Sequence, residues 1–458
     1  LIRITAYSLI RITAYSLIRI TASMQIITKN WEKINPLDIN SYIRVGGYEA
    51  LRKVIREMNP EEVVAEIKRS GLQGRGGAGF PTGEKWELAA KQKGENLRNN
   101  HYKSNISDFD PDNDLEEKRL GEKKYFICNL DESEPGTYKD RIIAEKNPHQ
   151  IIEGLLIGAF AIGAKKAYIY INGHYQKQKE ILQIALGQAW EKELVGRSVM
   201  GSAVDIEVEI FQGAGAYICG EETALLNSLE GKRGEPRLRP PYPPVEGLFG
   251  KPTVVNNAET IANIPYIIRR GAKTFSALGS SVSPGTKLFV LEGAVKNRGV
   301  FEAPLGITAH ELIYSSLYGG GLKEGREFWF AQVGGASGRL MPVGKLDQPL
   351  VYGKSEYPLG SGSIVVFDKT TNLKDFLFSV ADFFHRESCG KCVPCREGTY
   401  RLWEIAKRLK NNDLRERDRE NIEDILWTLS NATFCPLGNF AAAAWKDALK
   451  MFEKELFL

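Results

Sequence analysis

Three cysteines, Cys389, Cys392 and Cys395, stand in Ser388-Cys-Gly-Lys-Cys-Val-Pro-Cys-Arg-Glu-Gly398 with two residues between consecutive thiols. Such spacing puts the sulfurs within a turn or so of one another, where they can converge on one soft ion or cluster. Zinc motifs usually bring two separated pairs or add histidines, whereas a tight triplet suits an iron–sulfur cluster. A fourth thiolate must come from elsewhere, and Cys435, in Thr433-Phe-Cys-Pro-Leu-Gly438, is the remaining cysteine of the C-terminal third. Together they offer four ligands to a [4Fe-4S] cluster. Structural zinc and inert reduced thiols are the alternatives.

Two glycine-rich stretches suggest a second chemistry. Gly71-Leu-Gln-Gly-Arg-Gly-Gly-Ala-Gly-Phe-Pro-Thr-Gly83 holds five glycines between Gly74 and Gly83, with Arg75 among them and Lys85 just beyond. A backbone of this kind can approach a phosphate closely and offer it N–H groups, although flexible turns look the same. It is not the ATPase loop, because Lys85 is followed by Trp86. The other stretch, Gly213-Ala-Gly-Ala-Tyr-Ile-Cys-Gly-Glu-Glu-Thr223, follows a strand-like run and leads into a helix-like one, the order that lets a helix N-terminus face a phosphate or flavin. It lacks the G-x-G-x-x-G fingerprint. Between the two, Asp131-Glu-Ser-Glu134 sets three carboxylates at the end of a buried-strand signal, where the rim of an α/β sheet binds ligands; a solvated acidic turn is the plainer reading.

The elements that must position these groups follow from patterning. Helical signals run from Asn40 to Lys68, with cap-like Asn40 and a second start at Asn59-Pro60-Glu61-Glu62. Residues 151–230 alternate helix-like and strand-like runs, which implies a parallel sheet covered by helices. A helical run to Arg270 closes that unit; residues 285–370 are β-rich, with one helical pattern at Thr308–Ser316, and residues 372–458 read as amphipathic helices around the cysteines. Gly334-Gly-Ala-Ser-Gly338 reads as a tight turn rather than a phosphate loop. Residues 91–123 are polar and read as a surface insertion peripheral to catalysis. Residues 1–23 repeat Leu-Ile-Arg-Ile-Thr-Ala-Tyr-Ser and are expected to be a non-native extension ahead of Met24.

At 458 residues the chain has room for about three domains at ~150 residues each. With 61 basic and 57 acidic residues the net charge of +4 makes no case for nucleic acid or an anionic membrane. Six cysteines are too few for a disulfide framework, which points to the cytoplasm. No run of 18 apolar residues is present, so membrane association would come through partners.

Five motifs in consistent order, Gly74–Gly83, Cys128–Thr137, Gly213–Leu225, Gly250–Thr260 and Glu387–Gly398, resemble the NADH-binding flavoprotein subunit of respiratory complex I and the related diaphorase subunits of NAD-linked hydrogenases and formate dehydrogenases. The resemblance implies a Rossmann-like α/β flavin and NADH domain (24–275, insertion 91–123), a small β-grasp domain (285–370) and a helical [4Fe-4S] domain (372–458). It implies FMN held by Gly74, Arg75, Gly76, Gly77, Lys85, Asn129, Asp131, Glu132, Ser133, Gly220, Glu221, Asn256 and Asn257. NADH would lie among Phe80, Glu134, Tyr217, Glu222, Arg239 and Tyr242, with Glu134, Tyr217 and Glu222 nearest the chemistry, and the cluster on Cys389, Cys392, Cys395 and Cys435. Implied partners are a thioredoxin-like [2Fe-2S] subunit and a larger iron–sulfur subunit, at the cytoplasmic side of a membrane. The expected activity is NADH dehydrogenase; the alternative is a diaphorase that can run in the NAD-reducing direction.

Overall fold

The computed structural model describes residues 25–92 and 123–457. The repeat extension and nearly all of the polar insertion therefore lie outside the described residues.

Three helices lead in: α1 (Ile39–Arg44), α2 (Glu49–Glu57) and α3 (Pro60–Ser70). The first cap differs from expectation, since the Asp38 carboxylate, not Asn40, accepts the N–H of Asn40. Asn59 behaves as read: its side chain accepts from Glu62 N, and Glu62 returns the bond to Asn59 N in a capping box. The glycine-rich loop follows, and α4 (Thr82–Lys91) leaves it.

Next come β1 (Tyr125–Leu130), α5 (Lys139–Lys146), α6 (Pro148–Ile162), β2 (Lys166–Ile171), α7 (Gln176–Glu191), β3 (Glu207–Gln212), α8 (Glu222–Leu229), β4 (Thr253–Asn257), α9 (Ala258–Arg270) and α10 (Ala272–Ser276). The strands form one parallel sheet in the order β3-β2-β1-β4. Because β1 leads outward to β2 on one side and β4 lies on the other, the order reverses between β1 and β4. In open α/β sheets that switch point is where ligands bind.

The mixed sheet β6-β5-β9-β7-β8 comprises β5 (Thr286–Gly293), β6 (Gly299–Pro304), β7 (Phe328–Val333), β8 (Arg339–Pro342) and β9 (Ser363–Asp368). Parallel β5 and β9 at its centre, with α11 (Ala309–Tyr314) after the first hairpin, give a β-grasp arrangement. Thr308 and Glu311 cap α11 reciprocally. The last part is helical: α12 (Leu373–Glu387), α13 (Val393–Lys410), α14 (Asp418–Asn431) and α15 (Leu437–Phe457).

Alternation along the parallel strands decides what lies next to the glycine-rich loops. Phe126, Cys128, Leu130 and Val254 point into a core shared with the N-terminal helices, α6 and α9. Tyr125, Ile127, Tyr170 and Val255 point the other way, into the core that also contains Leu377, Phe384, Cys395 and Trp445 of the helical part. One sheet thus separates the N-terminal helices from the thiol region.

Candidate functional site

The acidic turn, the Asn256 and Asn257 pair and the second glycine-rich turn all stand at the carboxyl edge of the parallel sheet. Asn129 is the last but one residue of β1, Asn256 and Asn257 end β4, and the Gly213–Glu221 turn follows β3. The first glycine loop is brought to the same edge by α4, whose Trp86 donates Nε1–H to Asn256 Oδ1 at 2.8 Å.

The loop is shaped by its neighbours. Arg75 N–H donates to Thr260 Oγ1 at 2.8 Å, and Gly74 N–H to Phe80 O at 2.9 Å. Gly79 has φ +67°, and a Cβ there would meet the Tyr352 ring at 2.7 Å, so only glycine lets the loop close. The Arg75 side chain departs from the sequence expectation. Its guanidinium is buried and donates to the carbonyls of Thr286, Gln73 and Pro284 at 3.1, 3.2 and 2.7 Å, which braces the loop against the β-grasp sheet.

The acidic turn divides its labour. Glu132 caps α5 by accepting the N–H groups of Asp140 and Arg141 at 2.9 and 3.1 Å. Ser133 stands half-buried beside it. Asn129 donates to Gly220 O at 2.9 Å and accepts from Asp131 N, tying the acidic turn to the second glycine turn. Asn257 caps α9 through Glu259 N and donates to Asp140 Oδ2 at 2.7 Å.

What remains free is informative. Asp131 Oδ2 and Glu221 Oε1 are buried and accept no hydrogen bond, although Asp131 Oδ1 takes one from Asn172 and Glu221 Oε2 caps α8. A Cβ on Gly220 would make only ordinary contact, 3.5 Å from Asp131 O. Burial, opposed by Asn172 and reinforced by Glu387, pushes the Asp131 carboxyl up to about 7. Two buried acceptors without a hydrogen bond, of which Glu221 Oε1 has only the Arg239 guanidinium at 3.8 Å, stand beside a glycine turn and fit a hydroxyl-bearing phosphate ligand such as FMN.

At the rim, Lys85 Nζ lies 2.9 Å from Glu222 Oε2 and 3.3 Å from Val255 O, and Arg239 Nη1 lies 3.4 Å from Glu222 Oε1. Glu222 is therefore a carboxylate between two cations. The Phe80 and Tyr242 rings are 46% and 56% exposed, unusual for aromatics and suited to stacking on a planar ligand. Glu134 sits deeper, accepting from Tyr217 Oη at 2.6 Å and from Ser337 N at 2.7 Å. Burial raises its carboxyl, with Tyr217 and Ser337 opposing.

The four thiols belong to the apolar core beneath the second glycine turn: Cys395 is buried and the others half-buried. Burial, partly opposed by Ser388 and added to by Cys392, Cys435 and Cys389, pushes the Cys395 thiol up to about 12. Burial likewise lifts Cys435 to about 11, with Cys389, Glu221 and Cys392 contributing. The thiols are thus electrostatic neighbours. Among the described residues no three His, Cys, Asp or Glu groups gather closely enough for a single ion. Four thiols in one core, near enough to influence one another's charge, are a donor set whose chemistry fits a [4Fe-4S] cluster. Arg233 donates to Cys389 O, and Lys391 Nζ to Pro236 O at 2.6 Å, which ties the cysteine loop to the segment after α8.

Sequence reading missed Lys139, Asp140, Asn172, Glu259, Lys287, Ser337 and Glu387. Lys139 and Asp140 follow the acidic motif directly, and Glu259 ends the Asn-Asn-Ala-Glu motif, so proximity to motifs was a usable signal for these three.

Comparison with known proteins agrees with this geometry. Residues 108–266 match the family described as the Nuo51 FMN-binding domain, and residues 375–457 match the NADH-ubiquinone oxidoreductase-F iron-sulfur binding region. The F 2 subunit of NADH-quinone oxidoreductase from Rhizobium meliloti is 42% identical over 420 residues, 91% of this chain and 93% of that protein. The F subunit from Aquifex aeolicus is 40% identical over 433 residues, 94% of each. Among solved structures, NAD+-reducing [NiFe]-hydrogenase in the H2-reduced state superposes with a TM-score of 0.78 at 32% identity, over 93% of this chain and 66% of that one.

Proposed function

The chain belongs to the family of NADH-quinone oxidoreductase F subunits, and from that premise we infer how its own residues carry out the family's reaction. It is an NADH-oxidising FMN and iron–sulfur subunit of a multisubunit electron-transfer complex. The observation that carries the residue-level reading is the pair of buried acceptors that take no hydrogen bond, Asp131 Oδ2 and Glu221 Oε1, at the carboxyl edge of the parallel sheet, the latter with only Arg239 at 3.8 Å.

In this reading the Gly74–Gly77 backbone and Lys85 take the phosphate end of FMN, Asp131 and Glu221 accept from its hydroxyls, and Asn129, Gly220, Asn256 and Asn257 line the remainder. FMN, when bound, supplies the conversion between two-electron hydride chemistry and one-electron transfer. Phe80 and Tyr242 flank the dinucleotide, Arg239 lies 5.9 Å from the centre of the Tyr242 ring, and Glu222 and Glu134 meet its polar groups. Tyr217 links the two redox sites. Its hydroxyl holds Glu134, its N–H donates to Glu387 Oε2 at 3.0 Å just before the cysteine loop, and its ring meets Phe383 edge-on at 5.1 Å. Glu221 reaches across to influence Cys435. A short, packed path from cradle to thiols is what electron export needs.

The segmentation 24–275, 285–370 and 372–458 is read as flavin and nucleotide unit, β-grasp unit and cluster unit. Partner subunits are implied; a thioredoxin-like [2Fe-2S] subunit and a larger iron–sulfur subunit are the specific proposals. No described helix is long and apolar enough to cross a membrane, so attachment at the cytoplasmic face would run through those partners. A second reading, the diaphorase of an NAD-linked hydrogenase, is favoured by the superposition on the NAD+-reducing hydrogenase. Co-purifying subunits decide between them.

The test is the visible spectrum and metal content of protein purified without oxygen. Bound flavin that bleaches with NADH, with about four irons per chain, is expected. Flavin-free protein, or near-stoichiometric zinc with negligible iron, overturns the reading.

A further inference from the structure

The Gly334–Gly338 turn joins β7 to β8, and apart from the Ser337 contact with Glu134 it has no part in the assignments above. It is a tight turn, with Gly338 N–H donating to Gly335 O at 2.9 Å. Its outer side meets the acidic motif. Ser337 N–H donates to Glu134 Oε1 at 2.7 Å, and Gly335, at φ +87°, lies so close that a Cβ would fall 2.4 Å from Glu134 Cγ and 2.7 Å from Oε1. The other carboxylate oxygen takes the Tyr217 hydroxyl at 2.6 Å. Nearby, Thr137 Oγ1 and Ser361 Oγ lie 2.7 Å apart, and Ser363 Oγ donates to Gly136 O at 2.8 Å. The β-grasp sheet thus grips the acidic motif at three points.

A glutamate has several rotatable bonds and, left alone, would sample many rotamers. Two donors from separate elements, both acting on a carboxylate, select one. We propose that the Gly334–Gly338 turn is a positioning element of the NADH site: Gly335 leaves room for Glu134 and Ser337 N–H orients it. The β-grasp unit thereby sets nucleotide affinity without touching the nucleotide. This rests on the reading that Glu134 faces NADH.

The test is Gly335→Ala in the flavin- and iron-loaded protein. Its control is Gly325→Ala, in the same unit, with φ +70° and nothing within 4 Å of an added Cβ, so it carries the backbone strain without the contact. NAD+ binding is read from the perturbation of flavin absorbance, alongside FMN and iron content and the KM and kcat for NADH. Gly335→Ala is expected to raise the Kd for NAD+ and the KM for NADH by about tenfold, the worth of one charge-assisted hydrogen bond, with kcat, FMN and iron retained. Gly325→Ala should bind as the parent does. An unmoved Kd in Gly335→Ala, or an equal rise in the control, overturns the proposal. If Gly335→Ala does not fold, Ser337→Pro, which deletes the donor N–H, decides by the same criterion. Glu134→Ala separates the two layers: no change in its Kd removes Glu134 from the nucleotide site, whereas a rise there without one in Gly335→Ala rejects the turn's role alone.

Discussion

Beneath the first glycine loop, full charges are buried together. Lys139 Nζ lies 2.9 Å from Asp140 Oδ1 and 3.0 Å from Glu259 Oε2, and Lys287 Nζ lies 2.9 Å from the same Glu259 oxygen. Lys287 also donates to Arg75 O at 3.2 Å, so a β-grasp strand holds the loop's carbonyl. Burial alone would lower Lys139, yet Asp140, Glu259 and Glu132 drive it above its ordinary range; burial would raise Glu259, yet Lys287 and Lys139 pull it down. The cysteines belong instead to an apolar core that includes Phe384, Leu402, Leu429 and Trp445. The contrast follows from how each cofactor is held. A flavin bound without covalent bonds needs its cradle preformed, and interlocked charges fix one geometry; a cluster makes four bonds of its own and needs only thiols brought near.

The largest effect should come from cutting a bond on the second side. Cys392→Ala removes one thiolate and is expected to abolish electron transfer beyond the flavin while FMN content and NADH-driven flavin bleaching persist. Loss of flavin together with iron would show that the two regions are not independently held.

The first side should fail differently. Glu259→Ala leaves Lys139 and Lys287 buried with one counter-charge fewer, which should cost about 3–5 kcal/mol of stability. Urea unfolding of the variant measures it, and flavin should be lost in parallel. A loss below about 1 kcal/mol, the scale of an exposed pair, would mean the lattice does not hold the cradle.

These two predictions also mark what sequence can show. The four cysteines, the glycine turns and the acidic turn carry their chemistry in local spacing, and the caps at Asn59 and Thr308 lie within three residues of their partners. The lattice does not. Lys139 and Glu259, or Arg75 and Thr286, meet only after the sheet and the β-grasp unit have folded. Arg75 is the instructive case: among glycines an arginine suggests a phosphate, and nothing local reveals that the distant carbonyls of Thr286 and Pro284, with that of Gln73, claim its guanidinium. Glu132 is similar, because the helix it caps begins seven residues on.

The rim offers a smaller, sharper effect. Glu222 is held by Lys85 and Arg239, and in the proposed placement of the nucleotide it would present a negative charge to the extra phosphate of NADPH. Glu222→Gln keeps the shape and removes the charge, so kcat/KM for NADPH relative to NADH should rise by the equivalent of about 1–3 kcal/mol. An unmoved ratio would place Glu222 away from the nucleotide.

The smallest effect is a slope with pH, and it sets the cradle against itself. Asp131 titrates near about 7 because burial disfavours its charge, with Asn172 opposing and Glu387 adding to the rise; Tyr170, Tyr175 and Cys219 also feel it. Its folded value exceeds the ordinary 3.8, so in flavin-free protein its contribution to stability is fully present below about pH 4 and is lost as pH rises through about 7. Flavin binding should run the opposite way. A ligand hydroxyl donating to Oδ2 favours the ionised carboxylate, so below pH 7 binding must first expel a proton. Affinity for FMN should then weaken by up to about tenfold for each unit below pH 7 and level off above it. Flavin release from the loaded protein, followed by fluorescence between pH 5.5 and 8, about 1.5 units below and 1 above that midpoint, reads the slope directly. Asp131→Asn should flatten it while leaving the Cys392 and Glu222 phenotypes untouched. A release constant that ignores pH in the parent protein would remove Asp131 from the flavin and leave Glu221 as the acceptor that matters.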